Sequence, residues 1–198
     1  MIASRIVTVL AAILLGILAL PAQAVDALEE TAILVAKPAL RDRLYGSTIL
    51  IVKPVGNDRH VGFIINKPTT MTLGKLFPEH GPSQKVPDPV YLGGPVRPEV
   101  IFALVNRRDT PGGHSVQITR DLFIAMESEV VDHIIEAESD HARFFAGMVL
   151  WRPGELNAEL KRGMWYVLDA DPDLVLKKPT EGLWEELVRR SERKANTI

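Results

Sequence analysis

The sequence predicts one exported globular domain of the α/β or α+β class, and three observations carry that reading. Eighteen of the first 24 residues are apolar in a chain of 198 that is 46% apolar overall, so the remainder has an ordinary soluble composition of roughly 42%. Past residue 24, thirteen glycines and thirteen prolines cut the chain into short β-favouring runs. Two later segments instead place their apolar residues at helical spacing. The remaining chain is long enough to bury roughly 70% of its unfolded surface, so a core forms without disulfide or metal staples. Collagen, coiled coil, disordered tail and multi-span membrane protein are excluded by the same composition.

Residues 1–24 read as a secretory signal peptide, with residues 25–198 as the mature domain. Arg5 is their one charged side chain, Ile6 to Leu20 is an uncharged apolar run, Pro21 breaks it, and Ala22-Gln23-Ala24 supplies the small residues of a cleavage site after Ala24. The run is 15 residues, shorter than the roughly 20 of a membrane span, and Asp26, Glu29 and Glu30 follow where stop-transfer cations would stand. The expected location is periplasmic or secreted, with no membrane span after cleavage; the alternative is an anchor through an uncleaved N-terminus. Loss of Arg5 takes the net charge from −2 to −3, which makes nucleic acid a poor default partner. With no cysteine, thiol nucleophiles, redox pairs and thiolate metal sites are impossible.

Along the mature chain, Ala32 to Ala36 is a first strand. Thr48 to Val55 and Val61 to Ile65 flank the turn-like Gly56-Asn57-Asp58-Arg59 and form a hairpin. Pro68 ends the second of these strands, because proline cannot continue the ladder, and Met71 to Phe77 forms a short helix. A proline-rich loop from Pro78 to Pro89 leads into the strand Val90-Tyr91-Leu92 and the turn Gly93-Gly94-Pro95. Strands follow at Val100 to Val105, Ser115 to Thr119 and Leu122 to Met126, with a loop at Gly112-Gly113. Val130, Val131, Ile134 and Ile135 define a helix capped by Ser128 and ending near Ser139. Arg143 to Trp151 is almost wholly apolar, as in a central strand covered on both faces. Pro153 takes the first position of the next helix, with Glu155 and Glu159 early and Lys161 and Arg162 late, the charge order its dipole favours. Trp165 to Leu168 is the last strand, Asp171-Pro172 opens a turn, and Thr180 caps a C-terminal helix with Leu183, Trp184, Leu187 and Val188 inward, frayed after Ser191.

Sites for chemistry are sparse. The histidines His60, His80, His114, His133 and His141 include no pair at i, i+4, the spacing that puts two imidazoles on one helical face, so no metal is expected; each is read as solvated. No G-x-S-x-G elbow is present, and Ser47 is read as a residue leading into a strand. Glu155 and Glu159 share a helical face as acid/base pairs sometimes do, but early-turn glutamates ordinarily serve the helix dipole. Gly93-Gly94-Pro95 lacks the spacing and lysine of a phosphate loop, and Trp151, Trp165 and Trp184 are expected in the core.

Four motifs together resemble the YqgE/AlgH family of bacterial proteins. They are Ala36-Lys37-Pro38-Ala39-Leu40-Arg41-Asp42, Gly62-Phe63-Ile64-Ile65-Asn66-Lys67-Pro68, Val90-Tyr91-Leu92-Gly93-Gly94-Pro95-Val96, and Trp151-Arg152-Pro153-Gly154-Glu155-Leu156-Asn157-Ala158-Glu159-Leu160 followed by Trp165. The resemblance spans roughly Ile33 to Arg189. It implies a single α+β domain with a strongly bent or partly closed mixed β-sheet flanked by helices, and no established catalytic residue, cofactor or substrate. The signal peptide, Lys37 in place of an apolar residue and Glu155 in place of glutamine depart from the family pattern.

The motif loops, with Asn66, Lys67, Pro68, Gly93, Gly94 and Pro95, read either as two turns that set strand register or as the candidate surface for a protein or small-molecule partner, because polar and conformationally special residues at strand ends build ligand sites. The leading expectation is a non-enzymatic binding or accessory protein without a cofactor. One alternative is a hydrolase or lyase whose Asp, Glu and His groups converge only in the fold. The other is a transcriptional regulator, a label some family members carry, which export of this chain opposes.

Overall fold

The computed structural model describes residues 28–195, so the signal-peptide reading lies outside the described residues. Ten strands form one sheet: β1 (Ala32–Ala36), β2 (Ile49–Pro54), β3 (His60–Ile64), β4 (Pro68–Thr72), β5 (Pro89–Leu92), β6 (Val96–Asn106), β7 (Val116–Thr119), β8 (Leu122–Ala125), β9 (Ala142–Trp151) and β10 (Trp165–Asp169). The helices are α1 (Leu73–Leu76), α2 (Ser128–Ala137), α3 (Glu155–Lys161), α4 (Pro172–Leu176) and α5 (Leu183–Ala195). The strand order is β10-β1-β2-β3-β9-β6-β8-β7, with β5 lying parallel to β9 and β4 antiparallel to β5.

Strong curling brings the two ends of this sheet together: the Thr31 hydroxyl, just ahead of β1, donates to the Ile118 carbonyl on the far edge strand β7 at 2.8 Å. The alternation of side chains along each strand then separates two environments. Ile33, Ile51, Phe63, Leu104, Ile124 and Phe145 point into the concave face, which Val175 of α4 and Leu183, Leu187 and Val188 of α5 close. The convex face divides in two. Ala103, Val105 and Phe144 pack under α2, while Leu34, Leu50, Val149 and Trp151 pack under α3 and the 37–48 loop. Burial on both faces explains why β9 reads as a nearly continuous apolar run.

The first hairpin, the central strand and the C-terminal helix form where the periodicity predicts them. Five local expectations change. Pro68 begins β4 instead of only ending β3, since the first residue of a strand has no need of a ladder N–H. Strand β6 starts four residues early, at Val96, because an irregularity between Val96 and Ile101 lets it rejoin β9. Helix α3 starts at Glu155, with Gly154 at φ 80° in the N-cap position, so Pro153 stands before the helix; Ser128 is the first residue of α2, and Glu127 before it makes no side-chain capping bond. Helix α5 continues to Ala195, with Ser191 buried, instead of fraying there.

Candidate functional site

Asn66 ties two strands at the point where the chain leaves β3. Its Oδ1 accepts from the Ile49 N–H at 2.8 Å and its Nδ2 donates to the Ser47 carbonyl at 2.9 Å. Ser47 sits at φ 56°, a left-handed conformation that this amide bond helps to hold. The neighbouring Lys67 Nζ donates to the Leu44 carbonyl at 2.5 Å. Burial lowers the Lys67 pKa, an effect that the nearby Asp42 carboxylate opposes. Asp42 itself accepts the Tyr45 and Leu44 N–H groups, which hold its carboxyl below the ordinary range. The first two family motifs therefore meet: one supplies the folded loop, the other the amide and ammonium that fasten it.

Gly93 and Gly94 serve a crossing. Strand β5 lies on one edge of β9 and β6 on the other, so the chain between them passes over the β9 backbone. A Cβ on Gly93 would stand 2.2 Å from the Gly147 carbonyl oxygen, and one on Gly94 2.3 Å from that of Met148. Gly147, at φ 70°, makes room from below. Only residues without side chains allow this approach of backbone to backbone. Both glycines are buried, whereas Pro95 is exposed.

Of the six motif-loop residues, Asn66 and Pro68 line a cleft of about 680 Å³ together with Asp88, Pro89, Tyr91 and residues 178–181. Lys178 and Asp88 form an ion pair across its wall at 2.5 Å. Beneath Tyr91 lies Arg143, 1% exposed, with its guanidinium carbon 3.9 Å from the tyrosine ring centroid. Its Nη2 donates to the Ile65 carbonyl at 2.6 Å and its Nη1 to that of Val175. Burial pulls the Arg143 pKa down, and Tyr91 and Asp88 work against that pull. Strand periodicity gave no warning of this residue, but an arginine at the head of an apolar run was a visible anomaly.

The remaining candidates disperse. His60 is buried, not solvated: its Nε2 lies 2.9 Å from the Leu28 carbonyl, which covers the end of β3. His114 pairs with Glu127 at the surface, and that hydrogen bond lowers the Glu127 pKa. His80 Nδ1 is 2.7 Å from Ser83 Oγ and its Nε2 3.6 Å from Glu136, a Ser-His-Glu alignment that sequence spacing did not reveal. Ser83 is fully buried, so its hydroxyl orients the imidazole and is out of reach of a substrate. Glu155 and Glu159 diverge: one accepts the Arg152 N–H at 2.8 Å, and the other accepts the indole N–H groups of Trp151 and Trp165 at 3.1 and 2.9 Å. Trp151 and Trp165 are core residues as expected, and Trp184 donates to the Ala36 carbonyl. Among the described residues, no group of three His, Asp or Glu side chains could hold a metal ion.

A curled mixed sheet with a helix-plugged concave face and motif residues at its strand junctions defines an α+β domain of one particular type. The chain belongs to the AlgH-like family, whose model (DUF179) matches residues 33–196. A UPF0301 protein of Chlorobaculum tepidum is 28% identical over 160 residues, covering 79% of this chain and 83% of its own. One from Thermobifida fusca is 29% identical over 168 residues, covering 80% and 85%. The solution structure of the AlgH protein from Pseudomonas aeruginosa superimposes with a TM-score of 0.67 at 22% identity, over 81% of this chain and 87% of that one. The crystal structure of protein DIP2367 from Corynebacterium diphtheriae gives 0.67 at 21%, over 82% and 86%. These two establish the fold.

Proposed function

We propose that this member of the family is an exported, non-enzymatic binding or accessory protein whose partner docks at the cleft bordered by the motif loops. The observation that carries this reading is the placement of Asn66 and Pro68 on the rim of that cleft, opposite residues 178–181. Lys67, Gly93 and Gly94 act one layer below, fastening the strands that present the rim. The cleft's size is that of a site for a small molecule or an inserted side chain. The three-part layout of residues 1–24 supports export and argues against a role in transcription.

Photo-crosslinking in living cells tests the cleft. A photoreactive amino acid at Pro68 or Glu181, both exposed, is expected to give a discrete adduct that the same group at Arg120, elsewhere on the surface, does not. Equal adducts from all three positions, or none from the first two, would remove the assignment. Cell fractionation with N-terminal sequencing tests export: the expected mature N-terminus is Val25, and an intact N-terminus in the cytoplasmic fraction contradicts it.

A further inference from the structure

A second cavity, of about 540 Å³, lies between β6, α2 and the chain after α1; its Arg97 follows directly on the Val90–Val96 motif, but it shares no lining residue with the cleft at Asn66 and Pro68. Its apolar lining comes from Phe77, Val100, Ile101, Met126, Val131 and Ile135. Val131 and Ile135 are buried core residues of α2, so that wall is rigid, while Phe77 is 41% exposed at the mouth. Five polar or charged groups share the lining: His80, Arg97, Glu99, Ser128 and Asp132. A cavity of this size that sets an apolar wall beside converging polar groups can seat a small amphipathic molecule.

The charges at the edge select the kind of ligand. Arg97 and Glu99 face each other at 3.9 Å, a loose exposed pair that leaves little net field. The Asp132 side chain has no ion-pair or hydrogen-bond partner among the described residues. Glu136, one turn further along the same face of α2, stands 3.6 Å from His80 Nε2. The imidazole is fixed there by the buried Ser83 hydroxyl. With the arginine matched by Glu99, the Asp132 carboxylate leaves the lining net negative beside its apolar wall.

We propose that this cavity binds a small organic cation, an apolar body bearing one ammonium or guanidinium group, with the body on the β6 and α2 side chains and the charged end at Asp132. An anionic ligand of the same shape meets Asp132 with like charge while Arg97 is paired with Glu99, and an uncharged one gains at most a neutral hydrogen bond at Asp132.

Hexylamine, hexanoate and hexanol serve as probes of equal length and different charge, titrated into the ¹⁵N-labelled protein at pH 7 and low salt. Hexylamine is expected to shift amides of residues 97–101 and 126–135 in a saturable way, with a Kd on the order of millimolar for so small a molecule. Asp132→Asn is expected to weaken hexylamine about fivefold, the contribution of one exposed ion pair, and to leave hexanol unchanged. Asp132 is exposed on α2, so the variant keeps the fold, which its own spectrum verifies. The proposal is overturned if hexanoate binds as tightly as hexylamine, if Asp132→Asn leaves hexylamine binding intact, if no amide shift saturates, or if the shifts centre on residues 66–68 and 88–91.

Discussion

Replacing Glu159 by alanine takes away the shared acceptor of two indole N–H groups. One carboxylate oxygen, Oε2, receives Trp151 Nε1 at 3.1 Å and Trp165 Nε1 at 2.9 Å, and both tryptophans are at most 6% exposed. A hydrogen bond to a charged group contributes about 1.5–3 kcal/mol, and an orphaned buried donor costs about 1–3 kcal/mol. The carboxylate is half-buried, so water recovers part of the loss, and alanine gains a few tenths of a kcal/mol in helix propensity. The net expectation for Glu159→Ala is about 2–4 kcal/mol of lost stability, against about 1 kcal/mol for Glu159→Gln, whose amide oxygen still accepts without the charge. Urea unfolding followed by circular dichroism and tryptophan fluorescence measures both. A loss under about 0.5 kcal/mol for alanine, or equal losses for the two variants, would refute the claim that this oxygen anchors α3 to β9 and β10 through hydrogen bonding.

The strand crossing predicts that Gly94→Ala costs about 3 kcal/mol or prevents folding, because the contact is with backbone that cannot move aside; a melting temperature within about 2 °C of the parent contradicts it. Asn66→Ala is expected to cost about 2 kcal/mol through its two lost backbone bonds, in a thermal melt that Asn66→Gln does not restore because its longer amide misplaces both atoms. For Asp42 the sign follows from a folded-state pKa below the unfolded value of about 3.9. Its stabilisation is complete above that value and is lost as pH falls through the lower folded pKa. Asp42→Asn, whose amide oxygen still accepts from Leu44 and Tyr45, is therefore expected to lose less stability than the parent between pH 5 and pH 2; identical acid limbs in urea titrations contradict this.

The pattern of apolar residues and turn formers already determined the short first strand, the β2–β3 hairpin, the doubly covered β9 and the inward face of α5, because period-two and period-3.6 burial is a local property of the chain. The motifs determined the family. Local pattern is blind to contacts between distant segments, and that is where the candidate sites lie. His60 is buried because Leu28 covers it, Arg143 because Ile65 and Val175 offer carbonyls and Tyr91 a ring face, and the glycine pair is required because β5 and β6 lie on opposite edges of one strand. The His80–Ser83–Glu136 alignment and the acid-edged cavity arise only when α2 packs beside the turn after α1. The sequence alone determined which residues face inward and which chemistry is impossible without cysteine. The curl of the sheet decided which polar groups meet, since a hydrogen bond depends on a few ångströms between residues as far apart in sequence as Asp58 and Asn157.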